Sequence, residues 1–275
     1  MFNSFFVVWR ESLEALLIVG ILYAWLKVND EEGSGRRALA AGIAGGIGLA
    51  FVLGWALLAA QSELAGEALE AFQSGALIVA ALLITQMVWW MSRHGRRMKA
   101  EIENRIARAH RHKNRLAAQW SIAIIAALAI AREGAETVIF LYGIAQGGDG
   151  VGTLVAGAFG GLAAAVLCAL AAARGLAHLR LGLLLRISSI LLLVLASSLL
   201  VAASERLIGM DWLPALIDPV WDSSMLLDNN TGLGRLAADF AGYRARPALT
   251  SLLIWGAYWL IALTPLYWMK RHART

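Results

Sequence analysis

"RESLEALLIVG" at residues 10–20 and "REGAETVIFLYG" at residues 132–143 open on the same pattern, Arg-Glu-x-x-Glu, and run straight into apolar sequence. Each puts three formal charges into five residues: Arg10, Glu11 and Glu14, then Arg132, Glu133 and Glu136. A charge at the centre of a membrane helix costs about 2.5–3.5 kcal/mol on insertion scales, so six unpaired ones would cost roughly 15–20 kcal/mol. Ionisable groups placed at that cost, twice in one chain, are functional candidates by default.

The surrounding sequence supplies the membrane. The chain has 275 residues, 59% of them hydrophobic, where soluble domains are nearer half, and its mean hydropathy is positive. The apolar residues fall in runs near twenty long, the length a helix needs to cross a bilayer. The alternation of a β-barrel is absent, which leaves helices to satisfy the backbone in lipid. These features predict an all-α polytopic membrane protein with seven spans, at about 4–26, 38–60, 71–91, 119–143, 151–173, 181–203 and 248–269. The first span, with no basic stretch before it and three charges inside it, does not read as a cleaved signal peptide. Glycine clusters at Gly42, Gly45 and Gly46 and at Gly157, Gly160 and Gly161 are placed to let helix backbones approach closely.

The connections sort by charge. Segments 27–37, 92–118, 174–180 and 270–275 hold 17 of the 24 Lys and Arg; segments 61–70, 144–150 and 204–247 hold four, together with ten acids. The positive-inside rule puts the first set in the cytoplasm, the N-terminus outside and the C-terminus inside. Trp9, Trp25, Trp89, Trp90, Trp120 and Trp268 fall near the expected interfaces, as an aromatic belt does. The net charge of +5 is thereby assigned to topology and to anionic lipid headgroups, not to nucleic acid. The basic stretch 92–115, with His94, His110 and His112, reads as a topology-fixing linker that could also meet a departing metal.

In Arg-Glu-x-x-Glu on a helix the two glutamates project from one side, and the arginine can pair with the second glutamate four residues on. Four glutamates and two arginines leave a formal charge of −2, easier to hold in a membrane than −4 and still attractive to a cation. Carboxylates are hard oxygen ligands suited to Mg, Ca, Mn and iron. The expected spans contain no histidine and one thiol, Cys168, so the residues alone indicate a hard di- or trivalent cation, or a proton. An ion pair that only locks two helices together is the alternative. The motifs start 122 residues apart, on spans one and four. Three spans per unit inverts the second unit against the first, the arrangement in which transporters place a site between repeats. The expected organisation is one transmembrane domain over 1–275: a 3+3 inverted repeat, about 1–91 and 119–203, plus a terminal helix at about 248–269. The two glutamate pairs can then face one another.

At these residues the chain resembles the iron permease family, whose members include the permease partner of the yeast multicopper ferroxidase and the membrane component of bacterial elemental-iron uptake systems. "RESLE" and "REGAE" match that family's motif at every defining position, "MVWWM" at 87–91 is similar to the end of its third span, and Gly242, Tyr243 and Pro247 match the Gly-Tyr-x-x-x-Pro that closes its last outer loop. The resemblance implies seven spans with the N-terminus outside. It also implies a permease of the cytoplasmic membrane, not an enzyme, with Fe2+ or Fe3+ as cargo, no permanently bound cofactor, and Glu11, Glu14, Glu133 and Glu136 as the iron-handling residues beside the supporting charges Arg10 and Arg132. With no haem, flavin or thiol-pair signature in the chain, any change of iron oxidation state falls to an extracytoplasmic iron-oxidising or iron-delivery partner. One departure stands out: Gln73-Ser74 occupies the place of a Glu-Gly pair in many relatives, so capture at the outer mouth would pass to Glu67 or Glu70, with Asp222 among the other outer acids. A proton- or sodium-coupled exchanger of another hard cation, Mn or Pb, uses the same chemistry and is the alternative function. An intramembrane hydrolase lacks any supporting dyad.

Overall fold

The computed structural model describes residues 1–30, 33–94, 115–146, 150–174, 181–229 and 231–272. Every regular element among them is an α-helix: α1 (Phe2–Asn29), α2 (Ser34–Ser62), α3 (Gly66–His94), α4 (Arg115–Gln146), α5 (Val151–Ala173), α6 (Leu181–Gly209), α7 (Gly232–Ala241) and α8 (Leu249–His272). Seven correspond to the seven apolar runs. Most extend several residues beyond them, because hydropathy marks the stretch that lipid covers while the hydrogen-bonded helix continues past it. The expectation that missed an element concerns 204–247, where the short helix α7 lies. Most of the histidine-bearing stretch 92–115 is outside the described residues, His110 and His112 included.

Four helices, α2, α3 (Gly66–Ser92), α5 and α6 (Ile187–Gly209), are long and apolar enough to cross a membrane. Helices α1 and α4, of 28 and 32 residues, are longer still than a span needs and carry the two charged motifs. Large apolar side chains face outward along α2 and α5, Phe51, Trp55, Phe159 and Leu167 among them, each at least two-thirds exposed. Apolar surface on that scale, on helices of this length, is what a lipid-facing helix presents. The chain is therefore a polytopic helical membrane protein.

Three helix pairs dominate the packing: α2 on α4, α1 on α5, and α3 on α6. Exchanging α1 with α4, α2 with α5 and α3 with α6 turns this set of pairs into itself. Glycine makes the first two pairs possible. A Cβ on Gly46 of α2 would stand 2.8 Å from the Ala127 carbonyl oxygen of α4, and one on Gly161 of α5 would stand 2.4 Å from the Phe5 carbonyl oxygen of α1. Both clusters thus do what their spacing suggests, bringing backbones to a separation that no larger residue permits. The third pair encloses an apolar core in which Leu77 and Ile84 of α3 meet Leu192, Leu195 and Ala196 of α6, with Val7 of α1 and Phe140 of α4 packed in.

Local chemistry fixes the joints. The Asp30 carboxylate accepts the backbone N–H groups of Gly35 at 2.8 Å and Arg36 at 3.2 Å, satisfying donors at the start of α2 that the helix itself leaves unpaired. Helix α7 ends on Gly242 at φ 72°, with Gly242 N–H bonded to the Ala238 carbonyl and Tyr243 N–H to the Ala237 carbonyl, the left-handed glycine termination. Tyr243 then locks the outer segment, its hydroxyl donating to the Leu227 carbonyl at 3.0 Å and lying 2.7 Å from Ser223 Oγ. Asn3 donates to the Asp239 carbonyl at 2.9 Å, and Ser198 to the same oxygen at 3.0 Å, which seats α7 against the start of α1 and the middle of α6.

Candidate metal site

The two motifs meet. Helix α1 packs against α4, and each runs its Arg-Glu-x-x-Glu along the shared face. Gly134, inside the second motif, permits the neighbouring approach of α2: a Cβ there would sit 2.6 Å from Ala50 Cβ. One carboxylate oxygen from each of Glu11, Glu133 and Glu136 lies within 4.8 Å of the others. Oxygen ligands about 2.0–2.6 Å from a hard cation stand at most about 4–5 Å apart, so these three can share one ion.

Both arginines pair with the second glutamate of their own motif, as the spacing predicts. Arg10 Nη2 is 3.1 Å from Glu14 Oε1 and Arg132 Nε is 2.9 Å from Glu136 Oε1. The copies are otherwise unequal. Arg10 is completely buried, whereas the Arg132 side chain is 44% exposed. Glu14 belongs to the Arg10 pair and stands outside the trio, within coulombic reach of Glu136 and Arg132. Glu11 is fully buried, with its nearest positive group, Arg10 Nη1, at 3.7 Å. Both Glu11 oxygens, Glu14 Oε1, Glu133 Oε2 and Glu136 Oε2 are buried and accept no hydrogen bond from the described residues. Buried carboxylate oxygens in that condition are costly. An arrangement that only locked helices would turn those oxygens toward donors.

Two features of the site were not anticipated from sequence. Arg10 donates to two thioether sulfurs of α3, Nη1 to Met87 Sδ at 2.7 Å and Nη2 to Met91 Sδ at 3.0 Å. The Arg132 guanidinium lies 4.6 Å from the centroid of the Trp90 ring. The "MVWWM" stretch carried the only signal, two methionines four residues apart around two tryptophans.

The expected capture residues lie apart from the trio. Glu67 accepts the indole N–H of Trp212 at 2.7 Å, and Glu63 and Glu70 are exposed. Asp222 is tied up: it accepts from Ser224 Oγ at 2.6 Å and Ser224 N–H at 3.0 Å, and pairs with Arg246 Nη2 at 2.9 Å. The two Ser224 bonds, then Arg246, hold its carboxyl down at about 2, and Asp222 in turn raises the Arg246 guanidinium. Gln73 accepts a hydrogen bond from Arg206, which also donates to the Gln146 carbonyl. Arg206 of α6 thus ties α3, at Gln73, to α4, at Gln146.

Over residues 1–272 the sequence matches the model of the Iron permease FTR1 family. The chain belongs to this family. It is accordingly a permease, a transport protein rather than an enzyme. Among its curated relatives, the ferrous iron permease EfeU of Escherichia coli O6:K15:H31 is 27% identical over 263 residues, covering 96% of this chain and 94% of the relative. The ferrous iron permease EfeU of Yersinia pestis is also 27% identical, covering 96% of this chain and 92% of that protein. No solved structure matches.

Proposed function

We propose that this permease carries iron across the cytoplasmic membrane through the carboxylates of its two Arg-Glu-x-x-Glu motifs, with Glu11, Glu133 and Glu136 as ligands and Glu14 as the neighbouring relay carboxylate. The observation that carries the reading is the convergence of three carboxylate oxygens within 4.8 Å at a site where buried oxygens accept no hydrogen bond from the described residues. An all-oxygen, all-carboxylate set suits iron as a hard cation. Arg10 and Arg132 offset two of the four negative charges, so the site attracts a cation without the penalty of four unpaired charges.

Seven spans, the N-terminus outside and the C-terminus in the cytoplasm complete the reading, which treats residues 1–275 as one domain of two inverted three-helix repeats and a terminal helix. The exchange relation among the helix pairs supports the repeat, since α1 on α5 and α4 on α2 are then one packing used twice. The repeats would join at α1 and α4, where inverted-repeat transporters place their substrate. Glu67 and Glu70 at the outer ends of the helices raise the local cation concentration. Iron oxidation or delivery belongs to an extracytoplasmic partner, because the proposed site is built of redox-inert carboxylates.

Uptake into vesicles containing the purified protein, with Fe2+, Fe3+, Mn2+ and Pb2+ in competition, tests the reading. Iron is expected to be carried and to outcompete the others. Preferential carriage of Mn2+ or Pb2+ would assign the site to another hard cation, and proton flux without metal dependence would assign it to a coupled exchanger.

A further inference from the structure

We infer that Met87, Trp90 and Met91 of α3 are positioning residues for the two motif arginines, holding both guanidinium groups so that the carboxylates stay open to the ion. The inference rests on the proposed reading of the carboxylate trio as the ion site. Positions 87, 90 and 91 share one face of α3 by their three- and four-residue spacing. Through that face α3 touches both motifs: Met87 and Met91 hold Arg10 at 2.7 and 3.0 Å, and Trp90 stacks on Arg132 at 4.6 Å.

The choice of partner is unusual. A buried guanidinium next to two carboxylates is expected to engage them as a two-pronged fork, the strongest geometry open to it. Arg10 makes no such fork: Nη2 lies 3.1 Å from Glu14 Oε1 while also donating to the Met91 sulfur, Nη1 donates to the Met87 sulfur, a weak acceptor, and Nε has no acceptor among the described residues. The distance from Arg10 to Glu11 stays at 3.7 Å, and both Glu11 oxygens remain without a hydrogen bond from the described residues. Packing alone does not account for this, since methionine in an apolar core has no need to aim its sulfur at a cation. Each thioether occupies one N–H of a terminal nitrogen without competing for metal-binding charge, because a sulfur that accepts a hydrogen bond adds no formal charge to the site. On the other motif, the Trp90 ring attracts the Arg132 guanidinium through its face while Arg132 Nε keeps Glu136.

Removing the sulfurs therefore acts through Arg10. Its nearest remaining acceptors are Glu14 at 3.1 Å and Glu11 at 3.7 Å. The freed N–H groups close onto them and cover the oxygens that the ion needs.

The test is initial iron uptake against iron concentration in vesicles, per folded molecule, with Fe2+ kept reduced. Leucine nearly conserves the volume of methionine, so Met87→Leu with Met91→Leu preserves packing. The double variant is expected to raise the apparent KM about tenfold, the size expected when one charge-assisted hydrogen bond must break before the ion binds. Met87→Gln with Met91→Leu, which returns an uncharged acceptor of similar length, is expected to recover most of the loss. Trp90→Leu is expected to raise KM and Trp90→Phe, which keeps a ring face, to raise it less. A native KM in the double leucine variant, or the same KM with and without the glutamine, overturns the inference, as does a loss confined to the amount of folded protein. Glu11→Gln measured alongside separates the two readings. If Glu11→Gln abolishes uptake while the methionine variants behave as native, only the positioning role fails. If Glu11→Gln transports normally, the ion-site reading fails and takes the positioning role with it.

Discussion

Replacing Gly161 by alanine puts one methyl group into the α1–α5 contact, and the structure sets the size of the effect. The new Cβ would lie 2.4 Å from the Phe5 carbonyl oxygen and 2.8 Å from the Trp9 nitrogen. Carbon and carbonyl oxygen settle at about 3.3 Å or more, so the two backbones must separate by roughly 0.9 Å. The obstacle is backbone rather than a flexible side chain, and the cost falls in the range of about 1–3 kcal/mol for overpacking. Gly48, in α2, is the control: nothing lies within 4 Å of a Cβ there, and Gly48→Ala is expected to be neutral to about 1 kcal/mol stabilising through helix propensity. Thermal unfolding of the two purified variants in one detergent is expected to separate them by roughly 1–4 kcal/mol. Uptake per folded molecule is expected to fall for Gly161→Ala alone, because the displaced Trp9 precedes Arg10 and Glu11 directly. Equal stability of the two variants would refute the close-approach argument, and with it the packing that positions the first motif.

The two arginines are expected to differ. Arg10→Leu strips a buried pair of its fully buried cation and should cost about 3–5 kcal/mol in thermal unfolding, whereas Arg132→Leu, whose side chain is 44% exposed, should cost about 1 kcal/mol or less. Asp222 is held at about 2, below its ordinary value of 3.8, so its contribution to the outer segment is fully present above the ordinary carboxylate range and is lost as pH falls from 3.8 through about 2. Protection factors for amide exchange over 221–247, corrected for the intrinsic pH dependence of exchange, should accordingly be the same at about pH 7 and about pH 5, and a loss of protection complete by about pH 4 would contradict that pairing. A tag before Met1 should be accessible from outside intact cells and one after Thr275 should not; a protected N-terminus would overturn the orientation.

Much of the site was legible because its determinants are local. The Arg10–Glu14 and Arg132–Glu136 pairs follow from helix geometry alone, and the glycine clusters follow from the need of apolar helices to touch in lipid. Seven of the helices were visible as apolar runs for the same reason. What required the third dimension was selection among equivalents. Sequence treated the four glutamates alike, yet Glu14 is drawn to Arg10 and leaves Glu11 to join Glu133 and Glu136. It treated the arginines alike too, although α3 buries one and stacks on the other. The link between Gln73 and Arg206 joins residues 133 apart in the chain, and no periodicity encodes that. Helix α7 escaped notice because its ten residues are too few for a span and sit within an acidic, loop-like stretch.

Iron uptake per folded molecule in Glu11→Gln, Glu14→Gln, Glu133→Gln and Glu136→Gln tests the central claim most directly. Glutamine keeps the size of each side chain and removes the charge and the strong hard-ion donor. The account predicts that uptake collapses in all four while folded protein in the membrane stays near the native amount. Normal uptake per folded molecule in these variants would contradict it and leave the motifs as helix-locking ion pairs.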